Sequence, residues 1–177
     1  SEVDELLKRL EEISEESRRR SEDSNREVHE IVKEVKKRSE DSNRRLHKIV
    51  EDLKRENKDK AVEEVKEVLR EVVERDEEII RRVRERIRDL VRRDERIVRE
   101  SVKRLRKVVE DVRRDVEDKD ELKRAEDRVR ELIKENKRIL DESKENAERI
   151  DRELKKILED SKRNVEEIAK RLEEDRK

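Results

Sequence analysis

The sequence contains no glycine, proline, cysteine, methionine or aromatic residue, and it also lacks threonine and glutamine. Without cysteine there can be no disulfide, thiolate nucleophile or thiolate metal site. Without glycine the chain lacks the loops that cradle phosphate groups in nucleotide-binding proteins. Without aromatic side chains it lacks the surfaces on which bases stack or organic cations bind. These absences exclude most familiar classes of functional site.

Charged residues dominate what remains. Of 177 residues, 62% are charged and 28% are hydrophobic, yet the net charge is only −1. High charge and low hydrophobicity are typical of disordered chains, but the balanced charge and the regular spacing of Val, Ile and Leu indicate long packed helices. No apolar run is long enough to span a membrane and no targeting segment is recognisable, so we expect a soluble protein with no membrane partner.

An eighteen-residue repeat runs along the chain. Residues 20–37 read RSEDSNREVHEIVKEVKK and residues 38–55 read RSEDSNRRLHKIVEDLKR. An α-helix has about 3.6 residues per turn, so eighteen residues make about five whole turns and rise about 27 Å. Each repeated residue therefore points in the same direction as its predecessor. This period predicts nearly straight helices, whereas a heptad would impose a left-handed supercoil.

Three apolar stripes are interrupted at two places, which predict two short turns. At the first, Asn57 can take the left-handed conformation that ends a helix, and Asp59 can cap the next helix. At the second, either Asp118 or Asp120 can act as the cap. Because short connections make neighbouring helices antiparallel, the turns predict an up-down-up topology.

The predicted fold is all-α: a straight up-down-up three-helix bundle with an eighteen-residue, five-turn repeat. The helices are expected near 2–56, 60–117 and 121–176. Each apolar stripe covers one side of its helix, as expected for a helix buried against two neighbours. We therefore expect one elongated domain over residues 1–177.

Polar residues repeat inside the apolar stripes. Asp76 and Asp94 lie at the centre of the second stripe, and Asn136 lies at the centre of the third. Because an unpartnered buried polar group costs about 1–3 kcal/mol, we expect these groups to bond one another. The residues assigned to this structural polar network are Ser17, Ser21, Ser24, Asn25, His29, Ser39, Ser42, Asn43, His47, Asp76, Asp94, Ser101, Asn136, Ser143, Asn146, Ser161 and Asn164.

Folding the chain at its two turns predicts which polar residues meet. A residue n of the first helix should lie beside roughly 116 − n on the second and roughly n + 118 on the third, with an error of a few residues. The predicted groups are Asp94 with Ser21, Asn25 and Ser143; Asp76 with Ser39, Asn43 and Ser161; Asn136 with Ser17 and Ser101; His29 with Asn146; and His47 with Asn164.

These residues do not predict catalysis. His29 and His47 lie about 27 Å apart on one helix, among Asn and Ser, and cannot share a metal ion. A Ser-His-Asp triad needs direct hydrogen bonds, but each Asp is expected roughly 10 Å from the nearest His. Asp76 and Asp94, also about 27 Å apart, cannot form a carboxylate pair. We predict no enzymatic activity, no cofactor, and no catalytic, cofactor-binding or metal-binding residue.

An arginine-rich segment between Arg81 and Arg93 suggests a nucleic-acid surface. Seven arginines fall within it, offset only by Glu85 and Asp89. Such a segment can attract nucleic acid non-specifically. Over residues 60–117, however, 19 basic and 17 acidic residues leave a balance of only +2. We therefore interpret the segment as a solvated helix face and predict no nucleic-acid partner.

The chain resembles de novo designed helical bundles with modular buried hydrogen-bond networks. The resemblance rests on the restricted alphabet, the repeat, the glycine-free turns and the Ser/Asn/His/Asp layers, and it covers the whole chain. It implies a scaffold or a designed assembly component with no natural biochemical activity. The sequence does not identify a cellular location, and recombinant expression in the cytoplasm is expected. In such proteins buried polar layers fix helix register, because an apolar core alone tolerates sliding.

Two alternatives fit the same residues. The chain could be an assembly module whose polar layers pair with a second copy or with a designed helical partner, although the leading hypothesis requires no partner. It could also respond to pH, because a buried imidazole at His29 or His47 would gain a proton on acidification and lose its acceptor nitrogen.

Overall fold

The computed structural model describes residues 2–56 and 58–176, which form three α-helices: α1 (Glu2–Glu56), α2 (Lys58–Arg113) and α3 (Lys119–Arg176). The predicted all-α class is confirmed, and the described ranges contain no strand. The bounds of α1 agree with the prediction, whereas α2 was expected over 60–117 and α3 from 121. Asn57 and the side chain of Asp59 lie outside the described residues.

The connection between α2 and α3 begins earlier than predicted. The Val112 carbonyl accepts hydrogen bonds from the backbone N–H groups of Asp115 at 2.9 Å and Val116 at 3.1 Å. A carboxylate oxygen of Asp118 accepts one from the Asp120 N–H at 3.0 Å. Asp118 is thus the N-cap of α3. The helix α2 ends before 117 because the chain needs several residues to reach that cap.

We expect Asp118→Ala to lower the free energy of unfolding by about 1 kcal/mol, because it removes the carboxylate that caps α3. Asp118→Asn should retain most of the stability, since its amide oxygen can accept the same bond. Asp115→Ala, in the same turn, is the control and should change little. Urea denaturation followed by circular dichroism measures all three. Equal losses in Asp118→Ala and Asp115→Ala would contradict the assigned cap.

The helices divide into two compact units, and each unit contains segments of all three helices. Unit 1 comprises Ser1–Val28 and Ile87–Glu148, and unit 2 comprises His29–Arg86 and Arg149–Lys177. The core of unit 1 consists of Leu6, Leu10, Ile13, Leu105, Val108, Val109, Ala125, Val129 and Leu132. A core cluster of unit 2 consists of Leu46, Val50, Val65, Leu69, Ile168 and Leu172.

Ion pairs and hydrogen bonds give the helix directions inside unit 1. Arg104 of α2 lies 3.7 Å from Glu16 of α1, and Arg93 of α2 donates to Ser24 of α1. Residue numbers rise along α1 as they fall along α2, so the two helices are antiparallel there.

In the described part of the chain, no helix is both long and apolar enough to cross a bilayer.

Candidate functional site: the buried polar layers

The helices place most of the predicted polar network away from solvent. Eight of its residues are buried: Ser17, Ser21, Ser24, Asp94, Ser101, Asn136, Ser143 and Ser161. Seven are half-buried: Asn25, Ser39, Ser42, Asn43, Asp76, Asn146 and Asn164. Two are exposed: His29 and His47.

The first polar layer, in unit 1, consists of Asn25, Asp94 and Ser143 and is called the Asp94 layer. Asp94 is 2% exposed. The Ser143 hydroxyl lies 3.1 Å from Oδ2 of Asp94 and 3.3 Å from Oδ1 of Asn25. Because a hydroxyl has one hydrogen, it donates to one of these acceptors at a time. Ser143 thereby brings together side chains from all three helices, as the predicted register requires.

An arginine extends this layer to the surface. The Arg93 guanidinium donates to the Ser24 hydroxyl oxygen at 2.8 Å. The Ser24 hydroxyl in turn lies 3.2 Å from the Arg20 carbonyl, its acceptor within α1. The sequence placed Arg93 on a solvated face, so this contact between α2 and α1 was missed. A guanidinium donor carries charge, which strengthens its hydrogen bond.

Burial raises the pKa of Asp94 above its ordinary value, because removing the carboxylate from water disfavours its charged form. The nearby hydroxyls of Ser24 and Ser143 oppose this shift, as does the charge of Arg93.

The second layer, in unit 2, is the Asp76 layer: Ser39, Asp76 and Ser161. The Ser161 hydroxyl donates to Oδ2 of Asp76 at 2.8 Å. Ser39 lines a cavity of about 20 Å³ together with Asp76 and Ser161. Burial raises the pKa of Asp76 as well, against the Ser161 hydrogen bond and the charge of Arg75.

The third layer, in unit 1, pairs Asn136 with a residue that the sequence reasoning missed. The Asn136 amide donates to the Ser14 hydroxyl at 3.2 Å and to the Leu132 carbonyl at 2.7 Å. Its predicted partners Ser17 and Ser101 are buried but have no hydrogen bond to it. Ser17 lies three residues from Ser14, on the same side of α1. An error of about one turn in the predicted register therefore named Ser17 as the partner of Asn136 in place of Ser14.

Mutual satisfaction of the polar groups is incomplete. Among the described residues, four buried atoms have no hydrogen-bond partner: Ser21 Oγ, Asp94 Oδ1, Ser101 Oγ and Asn136 Oδ1. The expectation that these side chains saturate one another is therefore wrong for these atoms. Each such atom costs about 1–3 kcal/mol relative to a bonded one. Unit 1, which holds all four, carries this cost.

The histidines do not belong to the buried layers, which corrects the prediction. His29 and His47 are exposed, and Asn164 instead donates to Asn43 at 3.5 Å, the long limit of a hydrogen bond. Each histidine follows an asparagine by four residues, and four residues turn a helix about 40° beyond a full circle. That rotation carries the imidazole past the edge of the buried face. The pH response that the sequence suggests for His29 and His47 stays a prediction.

The observed contacts fix the register of α1 against α3 inside each unit. The paired residues differ by 122 positions for Ser14 with Asn136, and by 118 for Asn25 with Ser143. In unit 2 the difference is 121 for Asn43 with Asn164. These values lie within four residues of the predicted offset of 118. A nearly constant offset also means that α1 and α3 run parallel within each unit.

Unit 2 contains an ion pair that the sequence reasoning also missed. Arg84 Nε lies 2.5 Å from Asp151 Oδ1, and Arg84 Nη2 lies 3.3 Å from Asp151 Oδ2. Both side chains are about one-third exposed, at 27% and 32%. Burial opposes ionisation of Asp151, but Arg84 and Lys155 outweigh it and lower the pKa of this carboxyl. Arg84 is thus a specific interhelical contact within the arginine-rich segment.

Comparison with known proteins shows a likeness at the level of the fold. A solved structure described as a "computationally designed three helix bundle" matches with a TM-score of 0.62 over 98% of this chain and 91% of that chain. This chain has the fold of a three-helix bundle. Sequence identity to that structure is 16%, so the likeness concerns the fold alone. No protein-family model and no curated protein matches the sequence.

The chemistry available in the layers is hydrogen bonding between helices. In the ranges that the structure describes, no group of three His, Asp or Glu residues could hold a metal ion. Asp94, which is buried, and Asp76, which is half-buried, belong to different units, and each accepts a hydrogen bond from a serine of α3. Such an arrangement can align helices, since a one-residue shift would separate each hydroxyl from its carboxylate.

Proposed function

We propose that the protein is a designed structural scaffold, without enzymatic activity, whose buried polar layers fix helix register. It is a single straight, up-down-up bundle over residues 1–177 that follows the eighteen-residue repeat. The main support for this proposal is that the same serine–aspartate hydrogen bond between α3 and α2 occurs twice. Ser143 bonds Asp94 in unit 1 and Ser161 bonds Asp76 in unit 2, and both residue types recur at a spacing of eighteen.

Two further observations support this function. The structural neighbour carries the description of a designed three-helix bundle. The layers also contain unpartnered buried atoms, which a protein optimised only for stability would replace by apolar groups. Retaining polar groups at such a cost is expected where they select one alignment of the helices over others.

Replacing the Asp94 layer tests the role in register. We expect Asn25→Ala, Asp94→Leu and Ser143→Ala together to leave stability unchanged or raised, because apolar groups replace polar groups that are costly to bury. The helices should then populate several alignments. Because the chain has no cysteine, spin labels can be attached to cysteines introduced at two exposed positions, Arg19 on α1 and Glu135 on α3.

The parent should give one label-to-label distance, and the layer variant a broad or multiple distribution. The control carries the same replacement types at exposed positions: Glu12→Ala, Arg88→Leu and Glu145→Ala. It should keep the single distance of the parent. A layer variant that keeps one unchanged distance would show that the Asp94 layer is not needed to set the register.

Molecular mass in solution separates the scaffold from the assembly module that the sequence also allows. A scaffold that needs no partner should give one species near the chain mass of 21.8 kDa, independent of concentration. An assembly through the polar layers should give a larger mass that falls on dilution and returns to the chain mass in the layer variant. Light scattering coupled to size-exclusion chromatography measures this directly.

A further inference from the structure

We propose that the groove between α2 and α3 in unit 1 is a docking site for an acidic amphipathic helix of another protein chain. This surface is separate from the buried polar layers and goes beyond the scaffold role. The groove consists of two adjoining concavities of about 580 and 400 Å³. Arg106 and Lys137 line both of them, so the two concavities lie next to each other along α2 and α3.

Unpaired positive charge lines the middle of this groove. Arg99, Lys103 and Arg106 contribute from α2, and Lys134 and Lys137 contribute from α3. Within the described ranges, none of these five cations has a carboxylate at ion-pair distance, whereas Arg113 and Lys144 at the two ends of the groove do. Like charges that face one space repel, and an anionic partner would relieve that repulsion.

Ion pairs between the helices bound the unpaired stretch on both sides. Lys144 lies 3.2 Å from Glu95 at one end, and Arg113 lies 2.7 Å from Glu126 at the other. Glu110 also lines the groove between these pairs, so that stretch carries the five unpaired cations against one glutamate. From Glu95 to Arg113, α2 rises about 27 Å, which matches a partner helix of about 18 residues.

Aliphatic side chains form the floor of the groove and favour an anionic partner that also has an apolar surface. Val102, Val109, Ile133 and Leu140 line it, and the last two are only half-buried. A helix with an apolar stripe between two rows of glutamate would cover the floor and pair with both cationic rims. A nucleic acid fits less well, because the groove has no aromatic side chain on which a base could stack.

The repeat provides an internal comparison. Shifting by eighteen residues relates Val102 to Arg84 on α2 and Ile133 to Asp151 on α3. In unit 2 those positions form the interhelical ion pair, whereas in unit 1 they are aliphatic and lie between unpaired cations. Unit 1 thus differs from unit 2 at the two positions where a docked helix needs an apolar floor.

Fluorescence anisotropy with a labelled peptide tests the proposal. The probe is a helical peptide of about 20 residues with a leucine and alanine stripe flanked by glutamates on both sides. We expect saturable binding that weakens as ionic strength rises, because salt screens the charged rims. A peptide of the same composition in scrambled order, and one with lysine for glutamate, should not bind. Equal binding of the scrambled peptide would overturn the proposal in favour of simple polyanion attraction.

Two protein variants locate the site. Val102→Arg with Ile133→Asp copies the ion pair of unit 2 without changing net charge, and should weaken binding about tenfold or more. Lys103→Glu, Arg106→Glu and Lys137→Glu together should also abolish it. The control, Lys8→Glu, Arg9→Glu and Arg19→Glu on α1, makes the same charge change elsewhere.

The control variant should retain most of the affinity at moderate salt, and thermal melts check that every variant is folded. Loss of binding in the α1 control to the same extent would show that only net charge matters, which overturns the assignment. Concentration-dependent dimerisation of the unmodified protein, removed by the Val102 and Ile133 changes, would show that a second copy occupies the groove instead.

Discussion

Leu105→Ala is expected to lower the free energy of unfolding by about 2–5 kcal/mol, because it empties a fully buried site in the core of unit 1. Leu105 is 0% exposed and packs in the cluster that contains residues of all three helices. Leu46→Ala should cost a similar amount in unit 2, where Leu46 is 1% exposed. Urea denaturation followed by circular dichroism measures both losses.

Ile49→Ala is the matched control, since Ile49 is a large aliphatic residue that is 40% exposed. Its effect should stay within about 0.5 kcal/mol, as for most surface substitutions. If the chain is the single domain that the sequence predicts, Leu105→Ala and Leu46→Ala will each shift one shared transition. If Leu105→Ala instead leaves hydrogen-exchange protection in unit 2 unchanged, the units unfold separately and the single-domain prediction is wrong.

Asp94→Asn is expected to raise stability at pH 7 by about 1–3 kcal/mol, because it removes a buried charge while keeping the shape of the side chain. Asp94 bonds Ser143 through one oxygen, and its other oxygen has no partner among the described residues. The asparagine amide can donate where the carboxylate could only accept.

The pH dependence of this difference has a definite sign. Burial raises the pKa of Asp94 in the folded protein, so the folded state binds more protons than the unfolded state between the two pKa values. Stability therefore falls as pH rises through that window. The advantage of Asp94→Asn should vanish below about pH 4, where aspartate is protonated in both states, and should be fully developed above the raised pKa.

Asp151→Asn is the control of opposite sign. Arg84 and Lys155 lower the pKa of Asp151 against the effect of its burial. Its charge therefore stabilises the folded state at neutral pH, and this stabilisation is lost as pH falls through the lowered pKa. Asp151→Asn should lower stability at pH 7, only modestly because the pair is partly exposed. Stabilisation by both changes would contradict the electrostatic difference between the two sites.

The helices could be predicted from the sequence because the spacing of the apolar residues and the amino-acid composition both indicate α-helix. A stripe that returns with the helical period can be buried in only one secondary structure. The axial levels of Asp76 and Asp94 followed from the turn positions, and each does meet a serine of α3. A register error of about one turn leaves the helix face unchanged, which is why Ser14 was confused with Ser17.

Other contacts of the helices could not be predicted from the periodicity of the sequence. Arg84 and Arg93 begin on the outer part of α2, but their long side chains reach Asp151 and Ser24. Angular position describes where a side chain starts and gives no account of where a long one ends. The prediction that His29 belongs to the buried network was wrong for the opposite reason. A small rotation beyond the edge of the apolar stripe leaves its imidazole exposed to water.

Because the Ser–Asp hydrogen bond occurs twice, a second alignment of α2 against α3 could also form it. The covalent connections between the helices must prevent that alignment. Within unit 1, a shift of α2 against α3 by one whole repeat, about 27 Å, would replace Asp94 with Asp76 as the acceptor for Ser143. Such a stagger would preserve one bond and leave overhanging ends. Separate peptides with these sequences could therefore join end to end into filaments, and the short link at 114–118 is what holds the chain to finite length.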